Sequence, residues 1–189
     1  MHICVAFRAD DASIREAVEA WLANATAATA TYGPINLWDT SGVTDMSLLF
    51  CAHEWEGPRC NSAAASFDDD ITPWDTSGVT MMDRMFIGAS AFNQMIGDWR
   101  VDEVVTSMSQ MFRYASSFNQ PLGDWNVDKV TNMQYMLSDA SDFDQDLGWC
   151  MAAGVTVINM FYGAKCSPAS PHTPSATAVC GVTKSCSCP

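Results

Sequence analysis

The sequence predicts an α/β solenoid of about five coils, each a short strand or extended turn plus a short helix. A helical cap closes the front and a disulfide-bonded cap closes the back. Three observations predict it. Tryptophans recur at Trp38, Trp74, Trp99 and Trp125, with gaps of 36, 25 and 26 residues. A valine–threonine pair follows each, at Val43-Thr44, Val79-Thr80, Val105-Thr106 and Val130-Thr131, and a worn fifth copy supplies Val155-Thr156. Between these landmarks the apolar residues switch rhythm, from helical spacing to short alternation.

Repetition has an energetic reason. One unit buries roughly six apolar side chains worth ~2 kcal/mol each. Ordering its residues costs on the order of 1–2 kcal/mol apiece. A lone unit of about twenty-five residues therefore does not fold, whereas stacked units cover one another. The chain divides accordingly into a cap helix at 1–33, repeats at 34–166 with an insertion at 51–63, and a tail at 167–189.

The front cap comes first. Ile14, Ala17, Val18, Trp21 and Leu22 follow helical spacing, and Ser13 with Glu16 can form a capping box. The polar face is acidic, unlike that of a helix lying on lipid. Within the repeats, Val79, Met82, Met85 and Phe86 form a helical stripe, repeated at Val105, Met108, Met111 and Phe112 and at Val130, Met133, Met136 and Leu137. Thr80, Thr106 and Thr131 stand where a helix N-cap is wanted. An alanine, an aromatic and an amide pair follow: Ala89, Phe92 and Asn93-Gln94, then Ala115, Phe118 and Asn119-Gln120, then Ala140, Phe143 and Asp144-Gln145. Identical amides at one turn of successive coils read as a ladder that satisfies backbone groups. "LGDWNV" at 122–127 reads as a brief strand or extended turn.

At the back, "LGWCMAAGVTVINMFYGAKC" is a worn copy whose tryptophan slot is filled by Cys150, Trp149 having slipped by one. A Cys150–Cys166 disulfide is expected to seal it, worth ~3 kcal/mol for a loop of about fifteen residues. Cys51 and Cys60 bracket the insertion and are expected to pair; their spacing is not that of a zinc site. The Ser-, Thr-, Pro- and Cys-rich stretch after 166 reads as a linker or stalk. Cys180, Cys186, Cys188 and Cys4 stay unassigned. Asn24-Ala25-Thr26 is a glycosylation sequon, usable in a secreted chain.

Composition narrows the function. With 22 acidic and 9 basic residues, net −13, a phosphate-tracking surface for nucleic acid or anionic membrane is disfavoured. No apolar run reaches membrane-spanning length. Eight cysteines point to an oxidising compartment. The start, "MHICVAFRADD", is not a convincing signal peptide, so a leader upstream of Met1 is expected for an extracellular or cell-surface protein.

The segments "FNQPLGDWNVDKVTNMQYML" and "FNQMIGDWRVDEVVTSMSQMF" resemble the repeat of BspA-type leucine-rich-repeat surface proteins of bacteria and unicellular eukaryotes, over about residues 34–166. The resemblance implies a leucine-rich-repeat-like solenoid associated with adhesion and protein binding. It carries over no catalytic residue.

The expected function is thus a non-enzymatic module binding a protein or glycan, without a cofactor. Recognition is expected where the copies differ after each tryptophan: Asp39, Asp75, Arg100 and Asn126, with Ser41, Ser77, Asp102 and Asp128 beside them. Trp55 and His53 in the insertion are the other departure from the repeat. A carboxylate-based hydrolase is disfavoured, because no non-repeating acid stands among polar anchors. An ordered-array binder of calcium, mineral or ice is the alternative. It would use a threonine rank beginning at Thr40 and Thr76, or weak calcium binding at "FDDD", residues 67–70.

Overall fold

The segments carrying the helical stripe are not helices. The computed structural model describes residues 7–53, 55, 57–101, 105–166, 180 and 182–184. Among these, α-helix is confined to the front, in α1 (Ser13–Ala23) and α2 (Ala25–Tyr32), with 3-10 turns at Ile35–Leu37 and Ser62–Ser66. Each stripe is instead a run of tight turns.

The backbone hydrogen bonds explain why. Met85, Ile87 and Ala89 donate three residues back, to the carbonyls of Met82, Arg84 and Phe86, at 3.0–3.3 Å. The alternate residues Met82, Arg84, Phe86 and Gly88 donate outward, to Ser107, Ser109, Met111 and Arg113 of the next copy, at 2.8–3.3 Å. Met108, Gln110, Phe112 and Tyr114 do the same to Asn132, Gln134, Met136 and Ser138. An α-helix would consume these amides internally and leave none for a neighbour. Half the amides therefore close turns and half join copies.

Such turns need a left-handed residue at every fourth position. Arg84 and Gly88 have φ of 57° and 74°, Gln110 and Tyr114 58° and 62°, and Tyr135 and Asp139 54° and 59°. Turns of this pitch place residues three and four apart on one side, as a helix does. Val79, Met82, Met85 and Phe86 are accordingly all fully buried.

The threonines are not N-caps. Thr80 donates both its N–H and its hydroxyl to the Thr44 carbonyl, at 2.8 and 3.1 Å, and Thr131 repeats this on Thr106. Parallel bridges follow at Asp45–Met81–Ser107–Asn132–Thr156. The strand-like contact thus comes after the threonine. "LGDWNV" is a turn, with the Trp125 N–H on the Leu122 carbonyl at 3.1 Å. Its glycine serves close approach: a Cβ on the equivalent Gly97 would lie 2.8 Å from the Pro121 carbonyl oxygen.

Side chains stack in the same register. The Phe50, Phe86 and Phe112 rings lie 5.5 Å apart, and Phe67, Phe92, Phe118 and Phe143 lie 5.9–6.1 Å apart. Within a copy the two ranks meet at 3.9–4.1 Å. The amides form a ladder: Asn119 Oδ1 accepts from the Asp144 N–H and the Gln145 side chain, as Asn93 does from Asn119 and Gln120. Trp74, Trp125 and Trp149 each donate Nε1–H to a carbonyl of the preceding copy, on Ile35, Ile96 and Leu122. Trp149 has therefore not slipped. It stacks on Trp125 at 6.5 Å, and Gly148, at φ 60°, absorbs the missing residue.

The front cap finishes the exposed hydrogen-bonding edge. Asp11 accepts from the N–H groups of Thr44 and Asp45 and from the Thr44 hydroxyl. Arg15 donates to the carbonyls of Ser47 and Asp45 and pairs with the Asp45 carboxylate at 3.0 Å. Ile14, Ala17 and Val18 are buried beneath. The helix is capped by Asp10, which accepts from the Ala12 and Ser13 N–H groups, and not by a Ser13–Glu16 box. The cap is also two helices: Asn24 ends α1 and caps α2 by accepting from Ala27.

The back cap differs from expectation. Cys166 pairs with Cys180, not with Cys150. Cys150 is itself disulfide-bonded, with a partner outside the described residues. The reason is that the chain after 166 folds back. β1 (Cys150–Met151) pairs in parallel with β2 (Thr183–Lys184), the Leu147 N–H donates to the Cys180 carbonyl, and Cys180 and Val182 are buried. These returning residues thus belong to the cap and not to a stalk. Cys4, Cys186, Cys188 and residues 167–179 lie outside the described residues.

Trp99 breaks the tryptophan pattern, its buried Nε1–H having no acceptor. Trp125→Phe is expected to cost about 1 kcal/mol more than Trp99→Phe, read as the difference in urea unfolding free energy. Equal losses would show that the indole hydrogen bonds do not hold the copies together.

Burial works to raise the Asp11 pKa, but bonds from Asp45 and Thr44 and the Arg15 charge overcome it and leave it below the usual 3.8. A depressed carboxyl contributes stability above its unfolded pKa and loses it as pH falls through the folded value. The melting temperature should therefore hold from neutral pH down to about 4 and fall below that. Asp11→Ala should cost ~1 kcal/mol at pH 7, a deficit that closes in acid. A deficit independent of pH would sink the assignment.

Candidate recognition surface

The residues after each tryptophan first build their own loop. Asp39 Oδ1 accepts from the Ser41 N–H at 3.1 Å and its hydroxyl at 2.6 Å, and Oδ2 accepts from Arg8 at 2.9 Å. Asp75 accepts from the Ser77 N–H at 2.9 Å, and Asn126 from the Asp128 N–H at 3.0 Å. These are Asx turns, which is why Asp and Asn recur there. The side chains are nonetheless exposed or half-exposed.

They also share one edge. The Asp75 pKa is held down by the hydroxyl and N–H of Ser77 and by the Arg100 charge, against an opposing push from Asp39. That of Asp39 is lowered by its Ser41 bonds and by Arg8. Arg100 and Asn126 line a recess of about 330 Å³ with Gly97, Asp98 and Asp124. The structure thus brings together Asp39, Asp75, Arg100 and Asn126, with Asp128 exposed beside them. Asp102 lies outside the described residues.

The insertion forms a second feature. Cys51 and Cys60 are disulfide-bonded, and Asn61 caps the 3-10 turn at Ser62–Ser66. Between the insertion and α1 lies a recess of about 530 Å³, with Val18, Leu22, Leu49 and Pro58 as apolar wall and Arg59 and Glu19 among its polar lining. Trp55 is 92 % exposed and is not among the residues lining the recess. The sequence did not announce this cavity, which only the approach of two non-repeating segments creates.

The array features resolve differently. Thr40 and Thr76 are buried, at 1 % exposure, each donating its hydroxyl to a carbonyl of the next copy at 3.0 Å. Val101 and Val127 take the same interior slot, so the expected rank is not a surface. The carboxylates of "FDDD" diverge onto protein donors: Asp68 onto Asn93 and Gln94, Asp69 onto the Trp21 indole, and Asp70 onto Thr72. Among the described residues no group of three or more His, Cys, Asp or Glu is placed to hold a metal ion.

Asn24 is exposed, its Oδ1 occupied by the Ala27 N–H. No helix among the described residues is long and apolar enough to cross a membrane. The disulfides fit an oxidising, extracellular setting.

A family model described as "Mycoplasma protein of unknown function, DUF285" matches residues 17–56 and 59–171. The chain belongs to the DUF285 family. The match breaks at 57–58, inside the Cys51–Cys60 loop, where the DUF285 pattern is interrupted by the insertion. No curated protein and no solved structure matches the chain.

Proposed function

We propose that this DUF285 chain is a leucine-rich-repeat-like solenoid of BspA type that works without catalysis as an extracellular or cell-surface module, binding a protein or glycan. One observation carries the reading. The recurring polar side chains are consumed in holding copy to copy, as the Asn93–Asn119 ladder and the Thr44, Thr80, Thr106 and Thr131 bonds show. Exposed residues that differ between copies stand together on the Asp39–Asp75–Arg100–Asn126 edge. A scaffold with variable side chains on a constant backbone is suited to recognition. Among the described residues, the carboxyls with displaced pKa values are displaced downward, whereas a general acid for hydrolysis needs one displaced upward.

The full chain, carrying a photo-cross-linker and applied to intact source cells, should yield a discrete adduct. Asp75→Lys combined with Arg100→Glu should cut it about tenfold, the scale of one lost charged contact. Unchanged capture would remove this edge from consideration.

A second reading rests on a different rank. Thr44, Thr80, Thr106, Thr131 and Thr156 stand in register, exposed or half-exposed, each N–H bonded to the threonine before it from Thr80 onward. Such a row could match an ordered array, ice or mineral. If so, the chain should inhibit ice recrystallisation or mineral growth, and Thr106→Lys should abolish the effect. No inhibition by the wild type would dispose of it.

A further inference from the structure

Asn24 stands where α1 ends and α2 begins. Its backbone is extended, at φ −164° and ψ 96°, and its N–H donates to the Ala20 carbonyl at 2.9 Å. Its Oδ1 accepts from the Ala27 N–H at 3.0 Å. Among the described residues no acceptor takes the Nδ2 hydrogens, and no partner takes the Thr26 hydroxyl. Residues 23–27 are all exposed. Of the eight asparagines in the chain, Asn24 alone has a serine or threonine two places on. The triplet that the modification needs is thus also the one whose reacting nitrogen faces solvent.

The helix that follows supplies an independent observation. α2, ATAATATY, carries no charge, and of its eight residues only Ala28 is buried. Ala25, Thr26, Ala27, Thr29, Ala30 and Thr31 are exposed. In a chain with 22 acidic and 9 basic residues, this exposed helix draws no solubility from charges of its own. Its small side chains leave the space around Asn24 open to a bulky hydrophilic group. A helix this short depends on its cap. Substitution at Nδ2 leaves Oδ1 an acceptor, so the bond to Ala27 survives the modification.

We propose that Asn24 carries an N-linked glycan, transferred from a lipid-pyrophosphate oligosaccharide. Nδ2 attacks the anomeric carbon of the first sugar and an N–C bond forms. The C–O bond to the pyrophosphate breaks, the lipid pyrophosphate leaves with the bonding pair, and Nδ2 gives up one proton. The product sets a hydrophilic cover over the α1–α2 junction and its uncharged helix. The inference rests on the extracellular reading, because this transfer meets chains on their way out of the cell. It asks nothing of the Asp39–Asp75–Arg100–Asn126 edge.

Mass spectrometry of the chain isolated from source cells, after labelling with a membrane-impermeant biotin reagent, tests it. The labelled chain should carry added sugar mass on the peptide containing Asn24. Peptide-N-glycosidase in heavy-oxygen water should remove that mass and convert Asn24 to an isotope-marked aspartate. Labelled chain with bare Asn24 would overturn the site and leave the surface reading standing. Bare chain that escapes the label would overturn both. Expressed through a secretory pathway, Thr26→Ala should lose the added mass, and retention would place the sugar elsewhere and overturn the assignment. Asn24→Asp keeps a capping oxygen and should lose the mass without lowering the melting temperature of the enzymatically stripped wild type.

Discussion

Every described feature of the repeats follows from how the backbone amides are shared. Alternate N–H groups close a turn within the copy, and the others reach the next copy. An amide used one way is unavailable for the other, so a copy cannot be satisfied alone, nor can it become a helix without releasing its neighbour. The left-handed residues at every fourth position are the cost of this division, of order 1 kcal/mol or more for each that is not glycine. Stacked phenylalanines, buried methionines and the amide ladder offset that cost, and they can do so because the backbone has already set the copies in register.

The same sharing accounts for the ends. A first copy has no predecessor, so its edge presents free donors at Thr44 and Asp45 and free carbonyls at Asp45 and Ser47. Asp11 and Arg15 supply an acceptor and a donor from α1 to meet them. One short segment thus covers apolar surface and completes hydrogen bonds together. At the other end a two-residue sheet and the Cys166–Cys180 bond hold the returning chain against the last copy.

How much of this was legible in the sequence depends on what each signal measures. The period, the register of the tryptophans and phenylalanines, the amide ladder and the Cys51–Cys60 pair could be read, because all depend on identical residues meeting identical environments. Helices could not be told from turn runs, since Val79, Met82, Met85 and Phe86 fall on one side of either. Gly88 and Gly163 marked the left-handed slot, but Tyr114 and Asp139 fill the same slot in other copies and hid it. Cys150–Cys166 looked right by spacing. Its failure lies in the tail, where Cys180 is brought back by contacts that no local pattern records. On the candidate surface, Asp39, Asp75 and Asn126 were legible as a rank but carried a second meaning as Asx-turn residues.

That double meaning bears on where recognition can reside. A side chain that recurs because the loop needs it is constrained in identity and geometry, whatever it touches outside. Arg100 interrupts the Asx residues, and its charge helps hold the Asp75 carboxyl down. Arg113 interrupts a slot that holds isoleucine and serine in adjacent copies, and Gln110, Tyr114 and Tyr135 hold its guanidinium there. In a repeat where every other copy shows what the fold requires, such a departure measures what the fold does not require.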